Sequence, residues 1–65
     1  VDERRAHVTF RCRTIAVRLG YLGDRLVTAS PEYEDVRRVA AAEGLPAAAV
    51  YEAAQAAART AFGAV

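Results

Sequence analysis

Apolar and polar residues alternate in the first third of the chain, which is the pattern of half-buried β-strands. The apolar face lies first at even positions, namely Val8, Phe10 and Cys12. It then moves to odd positions, namely Ile15, Val17, Leu19 and Tyr21. Because a one-residue slip moves every side chain to the opposite face, we expect a bulge or tight bend near Arg13-Thr14 to reset the register. In this scheme Cys12 is a small core residue and His7 is a polar surface residue.

Gly23-Asp24 separates two strand-like runs and has a favoured composition for a two-residue hairpin turn. Such a turn sets Tyr21 opposite Leu26, Leu19 opposite Thr28 and Arg18 opposite Ala29. One face of the hairpin then carries Ile15, Val17, Leu19, Tyr21, Leu26 and Thr28. The other face has mixed polarity and carries Ala16, Arg18, Gly20, Leu22, Arg25, Val27 and Ala29. We expect helices to cover the first face and a neighbour to cover part of the second.

Two helices are predicted after the hairpin. Ser30 is a suitable N-cap and Pro31 a suitable first residue for the first helix, and Gly44 ends it. Its inward stripe is Tyr33, Val36, Val39 and Ala40. The second helix runs from about Pro46 to Ala61, with inward residues Ala47, Val50, Ala54, Ala57 and Ala61. The fold class is therefore α+β, with antiparallel strands followed by two packed α-helices, as in half of a ferredoxin-like fold.

The 65 residues are expected to form a single domain with a thin core. The chain contains sixteen Ala, no Trp and no Met. A lone core in this size range rarely supplies more than about 3–5 kcal/mol, and one Cys excludes an internal disulfide. We therefore expect homo-oligomerisation or support from an upstream domain. The first residue is Val1, which suggests a C-terminal piece of a longer protein.

Charge and cysteine content narrow the class of partner. The net charge of +1 argues against nucleic acid and membrane surfaces as partners. All nine basic residues are Arg, a side chain that can make bidentate phosphate contacts. A single Cys suits a reducing compartment, and we expect a cytoplasmic protein. His7 and Cys12 point to opposite faces of one strand, so they cannot form a two-ligand metal site within one chain.

The densest chemical feature is the run Pro31-Glu32-Tyr33-Glu34-Asp35. Glu32 and Asp35 are three residues apart and share a helix face, where two carboxylates can hold Mg²⁺ or Mn²⁺. Acids in a first turn also stabilise the helix dipole, and Glu34 is spaced to pair with Arg37 or Arg38. From spacing alone this structural interpretation is favoured.

Exposed arginines lie on two surfaces of the predicted fold. Arg37 and Arg38 are placed on the outer side of the first helix, and Arg18 and Arg25 on the mixed face of the hairpin. Either pair can grip phosphates, although solvated or interface arginines are more common.

The run Val17–Val27, continuing into Ala29–Asp35, resembles the C-terminal end of the LarC family of nickel insertion proteins. Arg37-Arg38, Gly44, Pro46 and Val50-Tyr51 extend the resemblance, which covers about residues 15–55. The family commonly has Cys where this chain has Val36. It also has a Gly/Pro-containing turn where this chain has Arg11–Thr14, so the first hairpin is expected to be shortened or merged into one bent strand.

The resemblance implies a full-length enzyme of the lyase class that uses CTP to insert nickel into a pyridinium bisthiocarboxylate mononucleotide. Its product is the organonickel cofactor of lactate racemase. For this chain it implies nucleotide binding with Mg²⁺ or Mn²⁺ and assembly as a homo-oligomer. The residues carried over are those of the matching motif: Glu32, Tyr33, Glu34, Asp35, Arg37 and Arg38. The carboxylates would hold the cation and the arginines would contact the triphosphate.

The upstream part of the family protein would carry the nickel chemistry. No catalytic residue and no nickel ligand is therefore assigned within the 65 residues, and the fragment alone is not expected to be active. The alternative function is a non-catalytic homo-oligomerisation module that supports an upstream domain.

Overall fold

The computed structural model describes residues 2–63 and has the element order β1-β2-β3-α1-α2. The strands are β1 (Asp2–Phe10), β2 (Arg13–Leu22) and β3 (Arg25–Pro31), and the helices are α1 (Tyr33–Glu43) and α2 (Ala47–Phe62). The strands form an antiparallel sheet with β2 at its centre. The predicted α+β class, with antiparallel strands followed by two packed helices, is confirmed.

The core lies between one face of the sheet and the two helices. Its largest fully buried side chains are Ile15, Val17, Val36, Val39 and Val50. Buried alanines, among them Ala29, Ala54 and Ala58, let the helices approach the sheet closely. The opposite face, here called the open face, is not covered by any element within residues 2–63. It carries Glu3, Arg5, His7, Thr9, Thr14, Arg18, Arg25, Thr28 and Ser30.

A two-residue turn at Arg11-Cys12 joins β1 to β2. The first hairpin is therefore shortened, as one of the two expectations had it, whereas the bulge near Arg13-Thr14 and the single merged strand were wrong. Both turn residues have positive φ, 49° and 68°, as tight hairpin turns of the primed type require. Because this conformation favours Gly, the composition Arg11-Cys12 concealed the turn. Phe10 pairs with Arg13 across it, which explains the change of phase in the apolar pattern.

The same turn places Cys12 at the surface. The side chain is exposed, so its prediction as a core residue was wrong, whereas His7 is exposed as expected. Two ion pairs hold the turn against the end of α1: the Glu43 carboxylate accepts from Arg13 Nε at 2.7 Å and from Arg11 Nη1 at 3.5 Å. The Arg13 hydrogen bond holds the pKa of Glu43 below its usual value.

The Gly23-Asp24 turn is confirmed, with Tyr21 opposite Leu26. Beyond this pair, Val27 forms a β-bulge between the partners of Gly20 and Tyr21. The extra residue shifts the register by one. Leu19 therefore faces Ala29 instead of Thr28, and Arg18 faces Ser30 instead of Ala29. Ala29 is buried and Thr28 is exposed, the reverse of the expectation.

The strand β3 continues through Pro31, and α1 begins at Tyr33 with Glu32 as its N-cap. The predicted cap at Ser30 was wrong, because Pro31 is tolerated at the end of an edge strand. Tyr33 is 58% exposed and does not belong to the inward stripe. Val36, Val39 and Ala40 are buried as expected. Gly44 ends α1 in the left-handed conformation with φ 69°, which confirms its assigned role.

Helix α2 packs its small residues against the sheet. Val50, Ala54 and Ala58 are buried, and Ala47 and Ala57 pack partly against the core. Ala61 is exposed, so its inward position was wrong. The Tyr21 hydroxyl donates to the Phe62 carbonyl at 3.3 Å, joining the end of α2 to β2. Neither helix is long and apolar enough to cross a membrane.

Substitution Cys12→Gly is expected to stabilise the protein. Cys12 adopts φ 68°, and an L-residue there costs roughly 1–2 kcal/mol, part of which is returned through the greater freedom of Gly in the unfolded chain. Thermal unfolding followed by circular dichroism measures the change. The matched control Cys12→Ala removes the thiol and keeps the strained backbone, so it should not raise the midpoint. A midpoint raised equally by both variants would contradict the explanation.

Candidate functional site

The predicted site lies at the junction where β3 becomes α1. The Glu32 N–H donates to the Ala16 carbonyl at 2.9 Å, which extends the ladder between β2 and β3 by one bond. The Glu32 carbonyl does not accept a hydrogen bond from the Ala16 N–H in return. It accepts instead from the Val36 N–H at 3.1 Å, in the hydrogen bond that begins α1. The Ala16 N–H donates instead to Asp35 Oδ2 at 2.9 Å. The Asp35 carboxylate thus takes the place of a strand carbonyl.

Asp35 is held in its charged form by this arrangement. The Ala16 N–H that donates to it keeps its pKa below the usual value, and the Arg38 guanidinium lowers the pKa further, while partial burial acts in the opposite direction. Arg38 Nη2 lies 3.0 Å from Asp35 Oδ1. Both carboxylate oxygens therefore have partners within the fold. The expected pairing of Glu34 with Arg37 or Arg38 is not seen among residues 2–63, and Arg38 pairs with Asp35 instead.

Glu32 links the junction to the open face of the sheet. Its Oε2 accepts from Arg18 Nη2 at 2.9 Å. Arg18 lies directly opposite Arg5 on β1 and opposite Ser30 on β3. The three residues form a row across the open face, here called the arginine row. The acidic helix start and the basic part of the sheet are thus one continuous polar surface.

Four of the six predicted residues are exposed, namely Tyr33, Glu34, Arg37 and Arg38. The Glu32 main chain and the Asp35 side chain both bond to Ala16, and Arg38 lies beside Asp35. The Glu32 carboxylate bonds instead to Arg18. Among residues 2–63, no three His, Cys, Asp or Glu side chains lie close enough to hold a metal ion. The sequence did not predict that the Ala16 main chain belongs to the junction. Its bonds to Glu32 and Asp35 depend on the strand register, which no side-chain pattern indicates.

A separate cavity of about 200 Å³ lies between β3 and the end of α2. Its lining residues are Leu26, Val27, Thr28, Arg59 and Gly63. It shares no residue with the junction. Gly63 is required there, because a Cβ would meet the Arg59 carbonyl at 2.7 Å.

Residues 1–51 match the family described as nickel insertion protein. The chain belongs to the nickel insertion protein family. No curated protein and no solved structure matches it. The matched segment includes all three strands, α1 and the start of α2, so the junction and the arginine row lie inside it. Membership in the family indicates a role in nickel insertion.

Substitution Asp35→Ala is expected to destabilise this nickel insertion module by about 1–3 kcal/mol, because it leaves the partly buried Ala16 N–H without its acceptor. Urea unfolding measures the loss. The control Glu34→Ala removes a neighbouring exposed acid and should cost under about 1 kcal/mol, the value of a charge at the helix start. Equal costs for the two variants would contradict the structural part assigned to Asp35.

The lowered pKa of Asp35 also predicts a pH dependence. A carboxyl whose folded pKa lies below its unfolded value, near 3.9 for Asp, contributes stability that is complete above about pH 4 and lost as the pH falls through the folded pKa. Asp35→Asn should therefore lose less stability than the unsubstituted chain on acidification below about pH 4. Urea unfolding over this range tests the difference, with Glu34→Gln as control. An unchanged acid dependence in Asp35→Asn would refute it.

Proposed function

We propose that this module binds CTP together with a divalent cation at the junction and the arginine row. It would do so as the C-terminal part of a CTP-dependent protein that makes the nickel pincer cofactor of lactate racemase. Nickel is the substrate of the full-length protein, and the upstream domain carries the chemistry of its insertion. Family membership supports the role in nickel insertion, and the charges around Arg18 support the nucleotide site.

The observation that carries the proposal is the opposition of Arg5 and Arg18 on neighbouring strands. Like charges directly opposite each other destabilise a sheet, and within residues 2–63 Glu32 is the acid paired with Arg18. A triphosphate lying over the row would turn this repulsion into charge-assisted hydrogen bonds from two guanidinium groups. The Ser30 hydroxyl, on the other side of Arg18, adds a neutral donor.

The carboxylates at the junction fit a nucleotide-bound cation. Mg²⁺ is usually held by one or two carboxylates together with phosphate oxygens and water. Glu32 is the better candidate ligand, because both oxygens of Asp35 already have partners. The exposed ring of Tyr33 next to Glu32 offers a face on which the base can stack, and Arg37 follows on the outer side of α1.

Titration of the chain with CTP by isothermal calorimetry tests the proposal. Binding is expected with Mg²⁺ or Mn²⁺ and should fall without a divalent cation. Arg18→Gln should weaken binding about tenfold or more, because a hydrogen bond to a charged group contributes about 1.5–3 kcal/mol. Glu32→Gln should lower binding only when the cation is present.

Arg59→Gln serves as the matched control, since Arg59 is an exposed arginine on α2 outside the junction. It should bind CTP like the unsubstituted chain. Absence of binding heat with either cation would overturn the nucleotide site. An equal loss of affinity in Arg18→Gln and Arg59→Gln would show that CTP binds through non-specific charge attraction.

A second candidate function is a non-catalytic homo-oligomerisation module that supports the upstream domain. The size of the core favours it: the largest fully buried side chains are one Ile and four Val, so the apolar surface buried by one copy is small. Light scattering separates the two candidates. A defined oligomer that gives no heat with CTP would favour the assembly function.

A further inference from the structure

The two edges of the sheet are protected very differently. We propose that β1 is an interface along which a second copy of this chain pairs antiparallel, with Ala6 on the two-fold axis. The pairing would give a continuous six-stranded sheet with the helices of both copies on the same face. The inference rests on the second candidate function for self-association, and it adds the surface and the register.

The edge formed by β3 is blocked against further pairing. Gln55 Nε2 donates to the Ala29 carbonyl at 2.8 Å, which occupies an outward acceptor. The bulge at Val27 interrupts the strand, and Pro31 lacks an N–H. Bulges, prolines and covering side chains are the usual means by which proteins prevent edge strands from pairing. All three occur within seven residues of β3.

The edge formed by β1 lacks all three, and its protection against pairing lies only in the charged residues of its first half, Asp2, Glu3, Arg4 and Arg5. The strand is nine residues long, contains neither Gly nor Pro, and pairs with β2 without a register shift from Asp2 to Phe10. In a two-residue hairpin the closing pair, here Phe10 and Arg13, is hydrogen-bonded, and bonded pairs alternate along the strand. The backbone groups directed away from β2 are therefore those of Glu3, Arg5, His7 and Thr9.

The hydrogen bonds of Ala16 in β2 support this direction. Ala16 is paired with His7, yet its N–H and carbonyl are bonded to Asp35 and Glu32 on the side of β3. His7 therefore has no backbone bond to Ala16. Within residues 2–63, no backbone hydrogen bond from a turn, loop or helix end reaches the outer edge of β1.

The charged side chains of β1 favour one register for pairing with the same strand of a second copy. Outward groups must face outward groups, so the axis must pass through a residue, and an axis at any residue from Arg4 to Val8 pairs at least five residues of β1. An axis at Arg4 or Arg5 sets that arginine against its own copy, which like charges disfavour. An axis at Ala6 sets Arg5 against the second copy's His7, Glu3 against Thr9 and two small Ala6 side chains against each other. It also pairs all nine residues of β1, whereas an axis at His7 pairs seven and an axis at Val8 pairs five.

Disulfide cross-linking tests the register. The Ala6 pair would be a non-hydrogen-bonded pair with Cα atoms about 4.5 Å apart, within the range that a disulfide spans. In a Cys12→Ser background, Ala6→Cys should oxidise to a species of twice 7.0 kDa on a non-reducing gel. Arg4→Cys, Arg5→Cys and His7→Cys, which mark neighbouring axes, should cross-link severalfold more slowly. Faster cross-linking at Arg4, Arg5 or His7 would overturn this register, even if light scattering shows an oligomer.

A proline substitution tests the edge itself. The N–H of His7 points outward, so His7→Pro removes a donor from the interface without breaking a bond to β2. This variant should be monomeric by light scattering and keep its circular dichroism spectrum, whereas His7→Ala should still associate. An oligomer that survives in folded His7→Pro would place the interface elsewhere. A monomer in the unsubstituted chain would overturn both this inference and the assembly function.

Discussion

The fold depends on how the main chain of Ala16 is satisfied where its neighbouring strand turns into a helix. A strand that ends beside a longer partner leaves a donor and an acceptor on that partner, and burying either without a bond costs free energy. Glu32 N–H takes the acceptor and the Asp35 carboxylate takes the donor. One charged side chain thereby lets β3 become α1 within two residues, which fixes the position of α1 over β2.

The sequence predicted those elements whose signals are local. Alternation located the apolar face of β1 and β2, Gly23-Asp24 located the second turn, and Gly44 the end of α1. Two features escaped because their residues are atypical. Arg11-Cys12 adopts a conformation that favours Gly, and Val27 forms a bulge that no composition marks. The bulge gave wrong partners for Leu19 and Arg18. Separately, the composition Ser30-Pro31 placed the helix start two residues too early.

These register errors explain what could and could not be predicted of the site. The acidic run at the helix start marked both Glu32 and Asp35, but Glu32 precedes the helix and its carboxylate bonds to Arg18, whereas that of Asp35 bonds to Ala16. Their partners follow from strand register, so the bond to Ala16 and the row formed by Arg5, Arg18 and Ser30 became visible only in three dimensions. The motif at the helix start therefore has two parts. Asp35 serves the fold, whereas Glu32 joins the helix start to the polar face of the sheet.

The ion pairs at the turn between β1 and β2 and the bond at Ala16 act on the same helix. Helix α1 is tied to β2 at both ends, through Asp35 to Ala16 and through Glu43 to Arg13. Eight helical residues rise about 12 Å and three strand residues about 10 Å, so the two segments match in length. They form a braced frame that resists rotation of α1 over β2. The junction and the Arg11-Cys12 turn are therefore held at a fixed spacing, and the outer side of α1 between them is a rigid surface.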